Sequence, residues 1–387
     1  MRLPLVSLVV ITAIVLGLQP LQLSTAQAAT LSVCASGCPY TTIRDAIDAA
    51  QTGDTISIAP GTYLENLTIP GSGTATQLRL QKGLGGGLFA GFPGIPNFPT
   101  IPWFSNAGGG DVIIDGGGAG SVLSVGLGST VELVDLTLTN GNAEGGGIYN
   151  QGTLRLSRVK VTGNQGGPEI GGIYNLSTGT LEARDSEVSA NSASDDIGGI
   201  LNEGTMSLTN VIVRDNTASS GGGILNTGTL TLRAVQVRGN DTVAQGGGIE
   251  NAGTLTGSAV EVSGNTAGDV GGGILNDNTG TLTLTNSFVR DNTGTTSGGL
   301  GGGGIAQLSS GAVTLTNTLI TGNTGTQGGG LYLATNRSAT LRSSVVSRNT
   351  ATGTGGGIYA EAGVTLSRQA TAIFLNTPDN CAGAVSC

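Results

Sequence analysis

Asp195-Asp196 is the one pair of adjacent acidic residues in the chain, and no histidine is present to assist it. Glycosidic bonds are hydrolysed between two carboxyl groups. This pair, however, precedes Gly198 in a turn and has no third partner in sequence, so solvated turn residues are the simpler reading. Arg214-Asp215 and Arg290-Asp291 recur at one turn position and read as exposed ion pairs of little energetic weight. Cys34 and Cys38 sit near one end of the chain and Cys381 and Cys387 at the other. Without histidine a zinc site is not expected. Of the three pairings that four cysteines allow, the two local ones are expected, stapling ends that would otherwise fray. The residue types predict no catalytic group, no metal and no cofactor.

The stronger regularity is one of spacing. A tetrad read as Gly-Gly-Gly-Ile ends at Ile148, Ile173, Ile200, Ile224, Ile249, Ile274, Ile305 and Ile358, with Leu331 standing in once, at intervals of 24 to 31 residues. An asparagine closes each copy 16 or 18 residues later: Asn164, Asn191, Asn216, Asn240, Asn265, Asn292, Asn323, Asn349 and Asn376. A two-residue difference preserves side-chain facing in a strand, so the longer copies are expected to carry a longer turn. Each copy holds three short alternating runs, as in Gly222 to Asn226, Thr229 to Leu232 and Val235 to Val237. That alternation is the signature of half-buried strands. Such a repeat is one coil of a parallel β-helix, and glycine in every copy excludes helical repeats.

Coils stack about 4.8 Å apart, which places equivalent residues in columns. Three columns are expected to face inward. One is the isoleucines, another is Leu154, Leu181, Met206, Leu230, Leu255, Leu282, Val313, Leu341 and Val364, and the third is the β-branched residue three before each closing asparagine, from Val161 to Ile373. The closing asparagines are expected to form an internal ladder, each amide bonding the next coil. Asn150, Asn175, Asn202, Asn226, Asn251 and Asn276 read as a second ladder that lapses at Gln307, Leu333 and Ala360. Cation binding by these amides is disfavoured, because neutral amides without carboxylates hold cations poorly. Outward beside the isoleucines stand Tyr149, Tyr174, Leu201, Leu225, Glu250, Leu275, Ala306, Tyr332 and Tyr359. The glycines before the isoleucines, from Gly147 to Gly357, read as a bare track on that same face.

The ends suggest export. Residues 1–28 read as a secretory signal, with Arg2, an apolar run from Leu5 to Leu18, Pro20 and the small-residue site Ala26-Gln27-Ala28. Residues 29–387 form the β-helix domain: 29–64 the N-terminal cap and first strand, 84–110 an inserted loop rich in proline and aromatics, 145–376 the repeats, and 377–387 a C-terminal cap. In the cap, Thr42 to Asp45 resembles a capping box, and Ile43, Ala46, Ile47 and Ala50 share one helical face, which predicts a short helix plugging the open end of the core. The net charge of -9, with Lys and Arg scattered singly, disfavours nucleic acid. No transmembrane segment is expected once the signal is removed, and the product is expected to be secreted or at the cell surface.

The run from Thr41 to Tyr63, TTIRDAIDAAQTGDTISIAPGTY, together with these repeats, resembles the pectin-lyase-like superfamily of right-handed parallel β-helices. The paired markers GGGI and VxxN are similar to the GGAI and FxxN of chlamydial polymorphic outer membrane protein repeats, with a branched aliphatic in place of the inward phenylalanine. The fold class expected is therefore all-β, a right-handed single-stranded parallel β-helix of about 11 to 12 coils with a short N-terminal capping helix. Calcium-dependent lyases of that superfamily carry acidic residues on the first-strand face, where this chain has Glu250 alone.

The reading of function that follows is a secreted, non-enzymatic surface, adhesion or matrix component. Its partners would be polysaccharide or cell-surface components, with Tyr149, Tyr174, Tyr332 and Tyr359 as candidate contacts on an exposed first-strand face. A carbohydrate-active enzyme, lyase or hydrolase, is the alternative. A minor one is an ice-binding protein, because Thr229/Thr231, Thr254/Thr256 and Thr281/Thr283 resemble the threonine arrays of ice-binding β-solenoids. Phe288, Leu319 and Val345 form an outward apolar run that suggests self-association.

Overall fold

The protein, in a computed structural model that describes residues 27–71, 77–83, 110–295 and 301–387, is a parallel β-solenoid of about 12 turns. Nearly all of the 1–28 segment and of the 84–110 insertion lies outside the described residues. Three long sheets form the walls, and every strand pair described in them is parallel. The tetrad sheet has 12 strands from Leu67–Ile69 to Cys381–Gly383. The threonine sheet has 13, from Thr30–Val33 to Thr365–Gln369, and the valine sheet 12, from Gly61–Leu64 to Ala372–Phe374. A fourth sheet of 6 two-residue strands, from Thr217–Ala218 to Thr350–Ala351, follows closing asparagines, so six of the coils contain four strands where the sequence reading had three.

Alternation explains the walls. In Thr229–Arg233 the side chains of Leu230 and Leu232 are buried while Thr229 and Arg233 are exposed. The longer copies do carry the longer turn: Asn150 is separated from Thr153 by two residues, and Asn175 from Thr180 by four. One expected column is nonetheless out of register at its end. In the last two coils Val313 pairs with Ala339 and Ala339 with Leu366, whereas Leu341 pairs with Leu315. Leu341 therefore belongs to a further inward column with Leu156, Leu208, Leu232 and Leu284, and Val364 is only half-buried. Facing survives the error because the slip is two residues.

Both amide ladders are interior. Asn191 Oδ1 accepts from Asn164 Nδ2 at 2.9 Å and from the Asn164 backbone N–H at 3.0 Å, and the same double bond repeats coil by coil to Asn376. Asn380 Oδ1 terminates it. In the second ladder Asn276 donates to Gln307 Oε1 at 2.7 Å, so the ladder runs one coil further than the asparagines do, and it stops at buried Leu333. Its first member, Asn150, has a buried Oδ1 with no described partner, because the coil beneath presents Val125 there.

The glycine track faces inward, not outward. A Cβ on Gly147 would lie 2.4 Å from Val161 Cγ1 and 2.9 Å from Asn164 Nδ2, and on Gly223 it would lie 2.3 Å from Gly248 O and 3.0 Å from Asn240 Nδ2. The ladder amide occupies the volume a side chain would need, which is why the residue beside it is glycine. Two tetrads begin with isoleucine, Ile170 and Ile197, at a position that faces away from the main core.

The N-terminal end is closed by helix α1, Ile43–Ala49, whose N-cap Thr42 accepts from Asp45 N–H at 3.1 Å. Its buried residues Ile43, Ala46 and Ile47 join the main core, and Ala50 is the half-buried C-cap. The solenoid starts earlier than expected, with Thr30–Val33 paired to Thr55–Ile58, and Gly61–Leu64 is a strand where a turn was read. Cys34 bonds Cys38 and Cys381 bonds Cys387. Cys381 is not beyond the last coil but within the final strand of the tetrad sheet, opposite Ile358. No helix among the described residues is long and apolar enough to cross a membrane.

Candidate functional site

The outer face of the tetrad sheet, expected to be exposed, is largely covered. The turn leading into each tetrad folds back onto the strand it precedes: a Cβ on Gly246 would lie 2.7 Å from Glu250 Cβ, and on Gly355 2.7 Å from Tyr359 Cβ. Ile170 and Ile197 pack there with Leu201, Tyr174 and Leu225, and Val270 packs with Leu275 and Ala306. Two small outer cores thus seal the face. Tyr332 is 0% exposed, while Tyr149, Tyr174 and Tyr359 are half-buried. The reason is local: a coil that must return to the next tetrad crosses the outside of its own strand, and apolar residues at the crossing bury one another.

The four tyrosines form two pairs. Tyr332 stacks on Tyr359, with ring centroids 5.8 Å apart, and its hydroxyl donates to Glu361. Glu361 also accepts from Thr335 N–H at 2.9 Å, and the Thr335 hydroxyl, with Tyr332, holds its carboxyl below the usual range. This pair is tied into the wall. Tyr149 and Tyr174 meet edge to face at 5.6 Å, and three carboxylates from successive coils gather around them. Glu144 precedes the strand Ile148–Asn150, Glu169 precedes Ile173–Asn175, and Glu203 follows Ile200–Asn202. Burial first, then the Glu169 charge, pushes the Glu144 carboxyl up. Burial, then Glu203, pushes the Tyr174 phenol up.

The sequence reading missed this group because it sought carboxyls adjacent in the chain. Glu144, Glu169 and Glu203 lie a full coil apart, and only stacking makes them neighbours. Asp195 and Asp196, by contrast, are exposed turn residues. Arg214 and Arg290 pair with Asp215 and Asp291 and also reach Glu187 and Glu261 on the preceding coil. Carboxyl groups brought side by side are an arrangement in which general acid chemistry can occur. Among the described residues no group of His, Cys, Asp or Glu has the placement to hold a metal.

Glu250 stands in the same column between Leu225 and Leu275. Burial, and then the Asp277 charge, push its carboxyl up to about 7. The folded state thus binds a proton that the unfolded state has released above its ordinary pKa near 4.3, so stability contributed by this site is present below that pH and is lost as pH rises toward 7. Glu250→Gln is expected to flatten this fall and to raise stability at pH 8 by about 2 kcal/mol. Urea unfolding at pH 5 and pH 8 measures it; an equal change at both pH values would contradict the assignment.

No family model, curated protein or solved structure matches this chain.

Proposed function

We propose that the protein is a secreted, non-enzymatic solenoid that serves as a surface, adhesion or matrix component and contacts polysaccharide. The observation that carries this reading is the use made of the repeated polar residues: the asparagines of every coil from Asn164 to Asn376 are spent on one continuous internal ladder, which makes a rigid extended body out of short strands. Such a body suits a spacer or a platform. The similarity of the GGGI and VxxN markers to polymorphic outer membrane protein repeats, and the signal-like first residues, support a right-handed β-helix placed outside the cell. The polysaccharide contact is assigned to Tyr149 and Tyr174, whose rings remain partly at the surface beside Glu144 and Glu169.

The Glu144–Glu169 pair is also the specific observation that favours the second reading, a carbohydrate-active enzyme. One experiment separates them. The purified protein is incubated with plant and microbial polysaccharides, with and without calcium, and both retention and new chain ends are measured. Retention that falls at least about ten-fold in Tyr149→Ala/Tyr174→Ala, without new ends, is the expected result. Release of unsaturated or reducing ends that disappears in Glu144→Gln would replace the platform reading with the enzymatic one.

A further inference from the structure

The outer face of the threonine sheet carries a larger ordered surface than its sequence suggests. Register places Ser207, Thr231, Thr256, Thr283, Thr314 and Thr340 directly opposite one another on consecutive coils. A second column runs beside it through Thr205, Thr229, Thr254 and Thr281. Sheet geometry sets the lattice at about 4.8 Å between coils and about 6.7 Å between columns. Thr205, Thr229, Thr254 and Thr256 are exposed and the others half-buried, as expected for close neighbours on a flat sheet. No described protein group takes the hydroxyls of Thr231, Thr256 or Thr283. Elsewhere in the same coils hydroxyls are used internally, as when Ser287 donates to Thr285 O and accepts from Val260 N–H.

We propose that this face binds the ordered water at the surface of ice. A rigid two-column lattice of unpartnered hydroxyls and methyls matches a ligand that is itself periodic, and the internal ladders fix the lattice in advance, so little ordering remains to be done on binding. Charge and rings narrow the class of ligand. The two columns contain neither from Thr205 to Thr340; Arg233 and Arg342 stand at the margin, and the paired Arg155 and Glu182 lie on the earlier coils. A crystalline polysaccharide would call on aromatic stacking, and an ionic mineral on charge, whereas hydroxyls and methyls are sufficient to hold water in a fixed array. The proposal goes beyond the polysaccharide reading and uses a different wall of the solenoid, so either can fail alone.

The test is thermal hysteresis and ice recrystallisation inhibition by the full chain, with Thr256→Tyr and Thr231→Lys on the array and Thr162→Tyr on the valine sheet as control. Hysteresis from the parent protein, lost about ten-fold or more in both array variants and kept in the control, is expected, with unchanged circular dichroism and unfolding midpoints because these side chains face solvent. A folded parent protein without hysteresis or recrystallisation inhibition overturns the proposal. So do array variants that fold and retain full activity. Retention on microcrystalline cellulose or chitin that depends on Thr256, in the absence of any effect on ice, also overturns it and assigns the face to a glycan.

Discussion

Asn240→Ala is expected to lower stability by about 3 kcal/mol or more, as is truncation of any interior rung of the same ladder. Asn240 is 1% exposed. Its Nδ2 donates to Val213 O at 3.1 Å and to Asn265 Oδ1 at 2.9 Å, and its Oδ1 accepts from both the backbone and the side chain of Asn216. Truncation removes all of these at once and leaves the buried Asn216 N–H without its acceptor. Because coils in a solenoid contact only their neighbours, the break also uncouples the coils on either side. Urea unfolding of the variant should therefore show a lower midpoint and a shallower transition, the mark of lost two-state behaviour. A loss below about 1 kcal/mol with an unchanged slope would show that the ladder is ornamental.

Gly223→Ala is expected to cost about 3 kcal/mol or more, or to prevent folding, although it adds a single methyl group to a chain rich in glycine. The added carbon would sit 2.3 Å from Gly248 O on the next coil and 3.0 Å from Asn240 Nδ2. Neither neighbour can retreat: one is a backbone carbonyl that accepts from Ile224 N–H at 3.0 Å, and the other is a ladder rung. Gly264→Ala is the matched control. Nothing lies within 4 Å of its new Cβ, and its φ of +62° imposes only left-handed strain, about 1 to 2 kcal/mol. Thermal unfolding of the two variants side by side measures the difference. Equal losses would mean that backbone conformation, and not space, keeps glycine in the track.

The contrast between these two glycines shows how far the sequence could be read. Period-two alternation and a fixed interval from isoleucine to asparagine were enough to identify strands, coils and the columns that run through Ile148 and Val161, because stacking requires each coil to repeat the one below. They were also enough to place amides inside: an asparagine recurring on the coil period has the asparagine of the next coil as its nearest partner. The short helix was legible from Thr42 and from the apolar spacing of Ile43, Ala46 and Ile47. Even the register error at Leu341 and Val364 left the inward assignment of Leu341 intact, since a two-residue slip does not change the face.

Facing at the tetrad was not legible, because glycine has no side chain whose polarity could say which way it points. The inward track, the covered tyrosines and the fourth strand are decided by how the coil returns upon itself. That return path is a property of the closed turn, not of any local pattern. The same holds for proximity across coils. Glu144, Glu169 and Glu203 look isolated along the chain and are gathered around Tyr149 and Tyr174 by stacking, and three pairs of threonines become a lattice once register aligns Ser207 with Thr340 across the intervening coils. Periodicity along one chain was enough to set the coil, its core columns and its ladders, since each coil must repeat the one below. Which surfaces are open, and which side chains meet on them, emerged from the folded coils alone, since both depend on contacts between residues a coil or more apart.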